Sequence, residues 1–385
     1  MSSIEQVDHV VVGGGVMGLA TASALARRGE RVTVVERFAR GHTHGASHGA
    51  TRNFNNAYAE DHYLDLLARS REGWDRLSRD TDEPLLRLHG LVTHGSDQAE
   101  LEDVHRALER RGIPASLLDR AEASRQWSGM RFEQTVLHSP DAGVIHAEAA
   151  LARLEHDIRR AGGHVLFGAR VLGIDADTAT HDGMDEGADG ATVTLTHDGQ
   201  QRHLRARRVI VTAGAWTRPL LSHLVTLPDL RVTEEHPAHF QEVAAASNLA
   251  VWPSFNHLVA PGTHPADVYG MPTPGEGIKV GFHRVGEAAD PDRRVHAPTA
   301  EHAHRLREYV REWMPGLDPA SAVSISCTYT STPDGAFVLD RRGALVIGAG
   351  FSGHGFKFAP GVGEQLADLA LDPRIRAAAP FRLPA

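Results

Sequence analysis

The stretch DHVVVGGGVMGLATASALARRGERVTVVE, residues 8–36, decides the fold of this chain. It begins with a short run of β-branched residues and passes through three glycines into a run of small and apolar residues. It then ends in a second β-branched run that Glu36 closes. Strand-forming runs on both sides of a helix-forming run predict a strand–helix–strand unit. Gly29 stands where a glycine commonly ends a helix, and we expect this helix to be amphipathic.

The glycines of this unit have separate physical reasons. We expect Gly13 to allow the tight turn, Gly15 to let the backbone approach a pyrophosphate, and Gly18 to let the helix pack closely on the strand. The first helical turn, at Val16 and Met17, then presents free backbone N–H groups and a positive dipole end to phosphates. The pattern therefore predicts a bound ADP moiety, and the alternative is a structural glycine turn.

The acid and the loop after it indicate which dinucleotide is bound. Glu36 stands where a carboxylate accepts hydrogen bonds from both ribose hydroxyls and repels a 2′-phosphate. A nicotinamide enzyme usually continues with another strand–helix pair, but this chain continues with RFARGHTHGASHGATR, residues 37–52. This loop, rich in glycine and histidine, favours FAD, because the long flavin arm must be threaded into the protein.

The composition excludes several classes of protein. A formal charge of −9 over 385 residues, without a basic cluster, argues against a nucleic-acid partner. No apolar run is long enough to cross a membrane, so no membrane partner is expected. The 25 histidines include no pair at zinc-ligand spacing beside other ligands, so no metal site is predicted. The single cysteine cannot form an internal disulfide, which favours a cytoplasmic location.

Two downstream segments repeat the pattern of a strand followed by small residues. VIVTAGAWT, residues 209–217, predicts a strand and a turn that lies against the same phosphates. GALVIGAGFSGHGFKFAPGVGEQLADLAL, residues 343–371, predicts a strand, a glycine-rich loop and a helix that starts near Gly361. The N-terminus of this helix is expected to face the pyrimidine end of a flavin, where its positive end stabilises negative charge.

Six stretches carry a resemblance to a known family: GASHGATR, VTAGAWT, YGMP, IKVGFH, SCTYTSTPDGAFVLD and AGFSGHGFKFAPGVGE. Through them the chain resembles, nearly end to end, the monomeric sarcosine oxidase and N-methyltryptophan oxidase family. These are FAD-dependent amine oxidases within the D-amino-acid oxidase superfamily. The resemblance implies a small-molecule amine substrate, O₂ as electron acceptor, and a monomer.

The length of the chain and the positions of these segments predict an α/β fold in two lobes. One lobe is a Rossmann-like, glutathione-reductase-like FAD-binding domain, and the other is an α+β substrate domain built on a mainly antiparallel sheet. We assign the FAD-binding domain to residues 1–85, 141–215 and 326–385. The substrate domain takes residues 86–140 and 216–325.

Two residues of the resembled motifs have distinctive chemistry. Cys327 matches a cysteine that is joined through a thioether to the flavin 8α-methyl carbon; the alternative is a small buried hydrophobe. Lys279 matches a lysine that lies over the flavin opposite the substrate and activates oxygen, because a cation stabilises the negative charge that oxygen acquires. The alternative is a surface lysine, but the apolar neighbours Ile278, Val280 and Phe282 favour one face of a strand.

The remaining matched positions surround the substrate or the cofactor in the resembled family. Three line the substrate cavity there: His283, Tyr269 and Tyr329. Of these, His283 is a candidate for holding the protonation state of the amine. Positions expected to lie beside the cofactor are Arg37, His48, Thr51, Arg52, Val171, Ala213, Gly214, Trp216, Gly350, Gly353, His354 and Gly355. The alternative is a satisfied core residue at each cavity position and a surface cation at Arg52.

One position departs from the family pattern. Lys357 matches a lysine whose backbone lies near the flavin and whose ammonium binds the substrate carboxylate together with an arginine. The position of that arginine holds Asn55, which cannot form a bidentate charge-assisted pair. The loss is expected to weaken binding of a small amino acid, so the substrate is larger, differently oriented or without an α-carboxylate.

We therefore predict an oxidase of a C–N bond in a secondary amine or N-alkyl amino acid. The product imine is hydrolysed, and O₂ is reduced to H₂O₂. The alternatives are a flavin dehydrogenase or C–OH oxidase on the same scaffold, an oxidase of a larger or non-carboxylate amine, or a non-enzymatic flavoprotein subunit.

Overall fold

The computed structural model describes residues 4–81, 83–176, 190–243 and 252–384. The helices are α1 (Val16–Arg27), α2 (Asp61–Leu77), α3 (Gln98–Arg110), α4 (Arg120–Gln126), α5 (Ala147–Arg160), α6 (Thr217–Leu221), α7 (Ala300–Trp313) and α8 (Ala359–Leu371). Short 3₁₀ helices lie at Gly214–Trp216, Pro319–Ser321, Phe356–Phe358 and Ala379–Phe381.

The strands of the first half are β1 (Ile4–Val12), β2 (Val32–Val35), β3 (Thr51–Phe54), β4 (Leu86–Leu88), β5 (Leu91–Gly95), β6 (Ser116–Leu118), β7 (Val136–Ser139), β8 (Gly143–His146), β9 (His164–Leu166), β10 (Arg170–Ala176) and β11 (Ala191–His197). Those of the second half are β12 (Gln200–Val211), β13 (Arg231–Glu235), β14 (Ala238–Phe240), β15 (Ser254–Leu258), β16 (Val268–Thr273), β17 (Gly277–Phe282), β18 (Glu287–Ala288), β19 (Val323–Ser324), β20 (Cys327–Ser331), β21 (Val338–Arg342) and β22 (Leu345–Ala349).

The first large sheet is parallel at its centre, in the order β9–β2–β1–β12–β22. Antiparallel pairings add β11 and β10 on one side and β21 beside β22. The helix α1 joins β1 to its parallel neighbour β2, as in a dinucleotide-binding unit. The Rossmann-like domain predicted from residues 8–36 is thus confirmed.

The helix α1 differs from its prediction. Every residue from Val16 to Ala26 is buried, so the helix has no exposed face along most of its length. The cause is tertiary, because α1 packs against α8 and α5 as well as the sheet. The contact with α8 is close: a Cβ added to Gly363 would lie 2.6 Å from the carbonyl carbon of Ala20. Gly29 follows the helix with a φ of +84°, as predicted for a helix end.

The second large sheet has the order β19–β14–β17–β16–β15–β5–β7–β6. All its pairings are antiparallel except that of β15 with β5. The helix α7 packs on this sheet through Leu306, Tyr309 and Val310, which belong to the same apolar cluster as Phe255 and Ile278. The prediction of a mainly antiparallel sheet is confirmed.

Two small sheets join the large ones. Strands β3, β8 and β4 form one of them, and β18, β13 and β20 form the other. A hydrogen bond of 2.7 Å between the hydroxyls of Thr51 in β3 and Thr273 in β16 ties the first small sheet to the antiparallel one. All strands of the first large sheet lie in the segments assigned to the FAD-binding domain, and all strands of the second lie in those assigned to the substrate domain. The domain boundaries themselves stay a proposal.

Within the described ranges, no helix has the length and apolar character needed to cross a bilayer.

Candidate active site

A cavity of about 1020 Å³ is lined by residues from both large sheets. Its volume lies at the upper end of the roughly 300–1,000 Å³ typical of small-molecule sites. The predicted residues that line it are Gly13, Gly15, Val16, Met17, Glu36, Arg37, His48, Thr51, Arg52, Asn55, Val171, Ala213, Gly214, Trp216, Tyr269, Lys279, His283, Cys327, Tyr329, Gly350, Gly353, His354, Gly355 and Lys357. Gly18 does not line the cavity. It lies behind the turn, where an added Cβ would be 1.9 Å from the carbonyl oxygen of Gly13.

The glycine turn between β1 and α1 requires a bare backbone. Gly13 has a φ of +102°, and a Cβ there would lie 2.5 Å from the carbonyl oxygen of Thr212. The end of β1 therefore lies directly against the end of β12, which contains the strand predicted to begin at Val209. A side chain at Gly13 would both strain the turn and push these two strand ends apart.

The carboxylate of Glu36 is held at the end of β2, and only 6% of this residue is exposed. Its Oε2 accepts a hydrogen bond from the N–H of Gly14 at 2.6 Å, and its Oε1 accepts one from Phe38 at 2.9 Å. The hydroxyl of Ser47 accepts a hydrogen bond from the N–H of Val16 at 3.0 Å. The N–H of Val16, which was expected to be free for phosphates at the helix N-terminus, is therefore already bonded, and so is the N–H of Gly14.

A carboxylate missed by the sequence analysis organises the cavity rim. The Oδ1 of Asp292 accepts hydrogen bonds from Arg37 at 2.7 Å and from the indole of Trp216 at 2.9 Å. The guanidinium of Arg37 also lies over the Trp216 ring, 5.7 Å from its centroid. Asp292 thereby fixes the loop after β2 to the 3₁₀ helix after β12.

Lys279 lies on β17, with 4% of its surface exposed. Its Nζ donates a hydrogen bond of 3.2 Å to the carbonyl oxygen of Thr51. Burial, reinforced by the positive charge of Arg52, lowers the pKa of this amine to about 7. Among the described residues no carboxylate forms an ion pair with it, so the charge is available to a bound molecule.

Arg52 fixes the loop that precedes β3. Its guanidinium donates to the carbonyl oxygens of Thr51 and Ala46, each at 2.8 Å, and to that of His48. The side chain is half-buried and contacts the ring of Phe356 at 5.7 Å. The alternative of an ordinary surface cation does not fit these contacts.

Lys357 is a second buried cation that lines the cavity. The Nζ of Lys357 donates a hydrogen bond of 2.8 Å to the carbonyl oxygen of His354, and burial lowers its pKa to about 7. The ammonium also lies 5.2 Å from the ring centroid of Tyr58, whose hydroxyl is 3.0 Å from Nδ1 of His354. Tyr58 was not predicted, because it has no distinctive motif of its own.

Asn55 cannot supply the second cation of the resembled family. Its side-chain oxygen accepts a hydrogen bond of 2.7 Å from the N–H of Ala57. The residue therefore stabilises a local turn at the cavity wall.

The aromatic rings of His283, Tyr269 and Tyr329 form a cluster in the cavity wall. The ring of His283 lies 5.6 Å from that of Tyr329 and 6.2 Å from that of Tyr269. Burial lowers the pKa of His283 to about 4, so its imidazole is neutral at pH 7. Gly353 makes room for this cluster, because a Cβ there would lie 2.1 Å from the ring of Tyr329.

Cys327 begins β20, lines the cavity and is half-buried. The structure therefore brings the thiol, both lysines and the glycine turn to one cavity. The composition of the chain also indicates that the lysines are unusual. The chain has only two lysines among its 40 basic residues, and both are buried in this site.

The residues present fit FAD. The glycine turn forms a cradle that a Cβ would fill, and the carboxylate of Glu36 lies beside it. Along the same cavity, Nε2 of His48 is buried and, within the described ranges, has no hydrogen-bond partner. A buried polar atom facing a large cavity is a position for a ligand.

The chain has a parallel sheet with a glycine turn and an antiparallel sheet, and one large cavity is lined by residues of both. This combination defines a dinucleotide-dependent oxidoreductase. A model of the DAO family, described as FAD dependent oxidoreductase, matches residues 8–369. The chain belongs to this family and is sarcosine oxidase-like within it.

Individual relatives agree with this assignment. Human peroxisomal sarcosine oxidase is 34% identical over 377 residues, which cover 94% of this chain and 92% of that protein. N-methyl-L-tryptophan oxidase of Salmonella arizonae is 30% identical over 375 residues, 95% of each chain. The structure of NikD, an unusual amino acid oxidase essential for nikkomycin biosynthesis, superposes with a TM-score of 0.82 at 25% identity over 98% of each chain. The resemblance seen in the six motifs is confirmed.

Proposed function

We propose that this protein oxidises a C–N bond of a secondary amine or N-alkyl amino acid and passes the electrons to O₂. The single observation that supports this most is the placement of both lysines in one cavity with the Cys327 thiol. A buried cation without a carboxylate partner is costly, so its position needs a functional reason. The names of the relatives, which include sarcosine and N-methyl-L-tryptophan oxidases, support the same chemistry.

FAD, held by the glycine turn and Glu36, would supply the redox chemistry, that is, hydride acceptance from the substrate carbon and transfer of the electrons to O₂. The substrate becomes an imine, which water hydrolyses, and O₂ with two protons becomes H₂O₂. The residues of the chain orient the substrate, exclude water and hold charge in place. Lys357 binds the substrate carboxylate, and Lys279 stabilises the negative charge that develops on O₂.

The neutral imidazole of His283 has a defined part in this proposal. A protonated amine cannot lose a hydride readily, so the substrate must react as the free amine. Because burial lowers the pKa of His283 to about 4, the ring accepts or donates a hydrogen bond without adding a positive charge. With Tyr269 and Tyr329 it forms the wall that orients the amine.

The covalent tether is part of the proposal. Cys327 is the only cysteine, lies at the cavity and has no disulfide partner. A thioether there would retain FAD through repeated turnover. The lone cysteine also supports a reducing, cytoplasmic compartment, and we propose that the enzyme acts as a monomer.

A peroxide assay across a substrate panel tests the function. Sarcosine, N-methyl-L-tryptophan, N-methyl-L-glutamate, primary amino acids and polyols are each supplied to the purified yellow protein in air. We expect peroxide release with at least one N-methyl amino acid and none with polyols. Peroxide only with polyols, or no peroxide although an N-methyl amino acid bleaches the flavin, would reject a C–N oxidase.

A further inference from the structure

Arg284 is a further cation that lines the cavity, and none of the motif assignments gave it a role. It follows His283, the first residue after β17, and it lines the cavity while remaining exposed. Its φ of +60° is unusual for a residue other than glycine. The backbone at this point departs from strand geometry, which would have alternated His283 and Arg284 to opposite faces.

Contacts with two neighbouring residues hold the guanidinium of Arg284 in place. Its Nε donates to the carbonyl oxygen of Ser352 at 3.3 Å. Its outer nitrogens pack over Gly335, where an added Cβ would lie 2.5 Å from Nη2. Gly335 has a φ of +78°. A larger residue there would displace the guanidinium.

His354 connects Arg284 with Lys357. Nε2 of His354 lies 3.2 Å from the carbonyl oxygen of Gly335, the glycine against which the guanidinium packs. The carbonyl oxygen of His354 accepts the hydrogen bond from Lys357. The carbonyls that the two cations bind belong to Ser352 and His354, two residues apart in one loop. Two residues span at most about 7 Å, so the cations serve one region of the cavity.

Among the described residues, neither cation has a carboxylate partner. No ion pair within the described part of the chain involves Arg284 or Lys357, although most arginines of this protein pair with acids. The two differ in depth, since Lys357 is 4% exposed and Arg284 lies open at the cavity wall. Two unpaired cations at different depths fit two separate anionic groups of one ligand better than a single carboxylate.

We propose that Arg284 binds a second carboxylate of the substrate, so that the enzyme prefers N-alkyl amino acids with an acidic side chain. The inference rests on the proposed function. It also explains why Asn55 can stand where the resembled family has a carboxylate-binding arginine. Lys357 alone holds the α-carboxylate, and the additional affinity comes from the side-chain carboxylate at Arg284. A guanidinium is suited to this task because it binds a carboxylate through two parallel hydrogen bonds.

The test compares kcat/KM for N-methyl-L-glutamate and N-methyl-L-glutamine, which differ by one charged group. The wild-type enzyme is expected to prefer the acid by about tenfold or more, the scale of a charge-assisted hydrogen bond. Arg284→Gln should remove this preference mainly through KM, while Arg284→Lys should retain part of it. Arg293→Gln is the matched control, because Arg293 is 86% exposed and lies outside the cavity.

The outcomes separate this inference from the proposed function. FAD content and thermal unfolding of each variant establish that it is folded. Oxidation of both substrates with equal kcat/KM, or a preference that persists in Arg284→Gln, would overturn the inference and leave the amine oxidase intact. Failure of every N-methyl amino acid to release peroxide would overturn both.

Discussion

The Lys279→Met substitution separates the two halves of the proposed reaction. Lys279 donates to the carbonyl oxygen of Thr51 at 3.2 Å and, within the described residues, has no carboxylate partner. Methionine has a similar length and fits the buried strand, but it has no charge. We expect the reaction with O₂ to slow strongly and reduction by the substrate to change only a few-fold.

The size of the effect follows from the burial of the charge. Two unit charges about 4 Å apart attract each other by about 4 kcal/mol at an effective dielectric constant of about 20. Each 1.36 kcal/mol corresponds to a factor of about ten in rate, which gives an upper value of roughly 10³-fold. Because the pKa of Lys279 is about 7, about half of the molecules carry the charge at pH 7, and this costs only a factor of about two. The expected loss is therefore about 10²- to 10³-fold.

Stopped-flow absorbance measures both half-reactions. The flavin band is first bleached by an N-methyl amino acid without oxygen, and the reduced enzyme is then mixed with buffer containing O₂. Lys357→Met is the matched control, because the other buried lysine should affect substrate reduction and leave the O₂ reaction nearly unchanged. Equal losses in both half-reactions of Lys279→Met would refute the assigned role.

Three further predictions concern the tether, the turn and the second lysine. Cys327→Ser should release its FAD on denaturation and gel filtration, whereas the wild-type polypeptide should keep the yellow colour; free flavin from the wild type would contradict the tether. Gly13→Ala should lower the FAD content, because its Cβ would lie 2.5 Å from the carbonyl oxygen of Thr212, with strain of about 1–3 kcal/mol from the positive φ alone. Gly29→Ala, with a similar φ but open space, should lower only thermal stability, and equal FAD loss in both variants would reject the steric argument. Lys357→Met should unfold at higher denaturant concentration than the wild type at pH 6. The folded-state pKa of about 7 lies below the ordinary 10.5, so this lysine destabilises the fold fully below pH 7, by up to about 5 kcal/mol, and the effect disappears as the pH approaches 10.5. A stability difference that does not change between pH 6 and pH 10 would contradict the low pKa.

Local patterns in the sequence predicted the features that depend on neighbouring residues. The strand, glycine turn and helix of residues 8–36 follow from periodicity and from the backbone freedom of Gly13. The end of α1 at Gly29 follows in the same way. The two lysines carried a compositional signal that motif reading did not use.

Local sequence patterns could not predict the features that depend on contacts between distant parts of the chain. The full burial of α1 results from α8, more than 300 residues later in the chain. The bridge that Asp292 forms between Arg37 and Trp216 joins three separate segments. The position of Arg284 depends on a positive φ, which the pattern of side chains in the sequence does not predict. Each of these needs the tertiary structure, since the sequence neighbours of these residues are ordinary.

The most direct test of the central claim is an anaerobic titration of the purified protein with an N-methyl amino acid. The account predicts that the yellow flavin band bleaches, that one primary amino acid forms per flavin, and that admission of air restores the band with one H₂O₂ per turnover. A protein that is colourless when saturated with its cofactor, or whose flavin no amine reduces, would contradict the account.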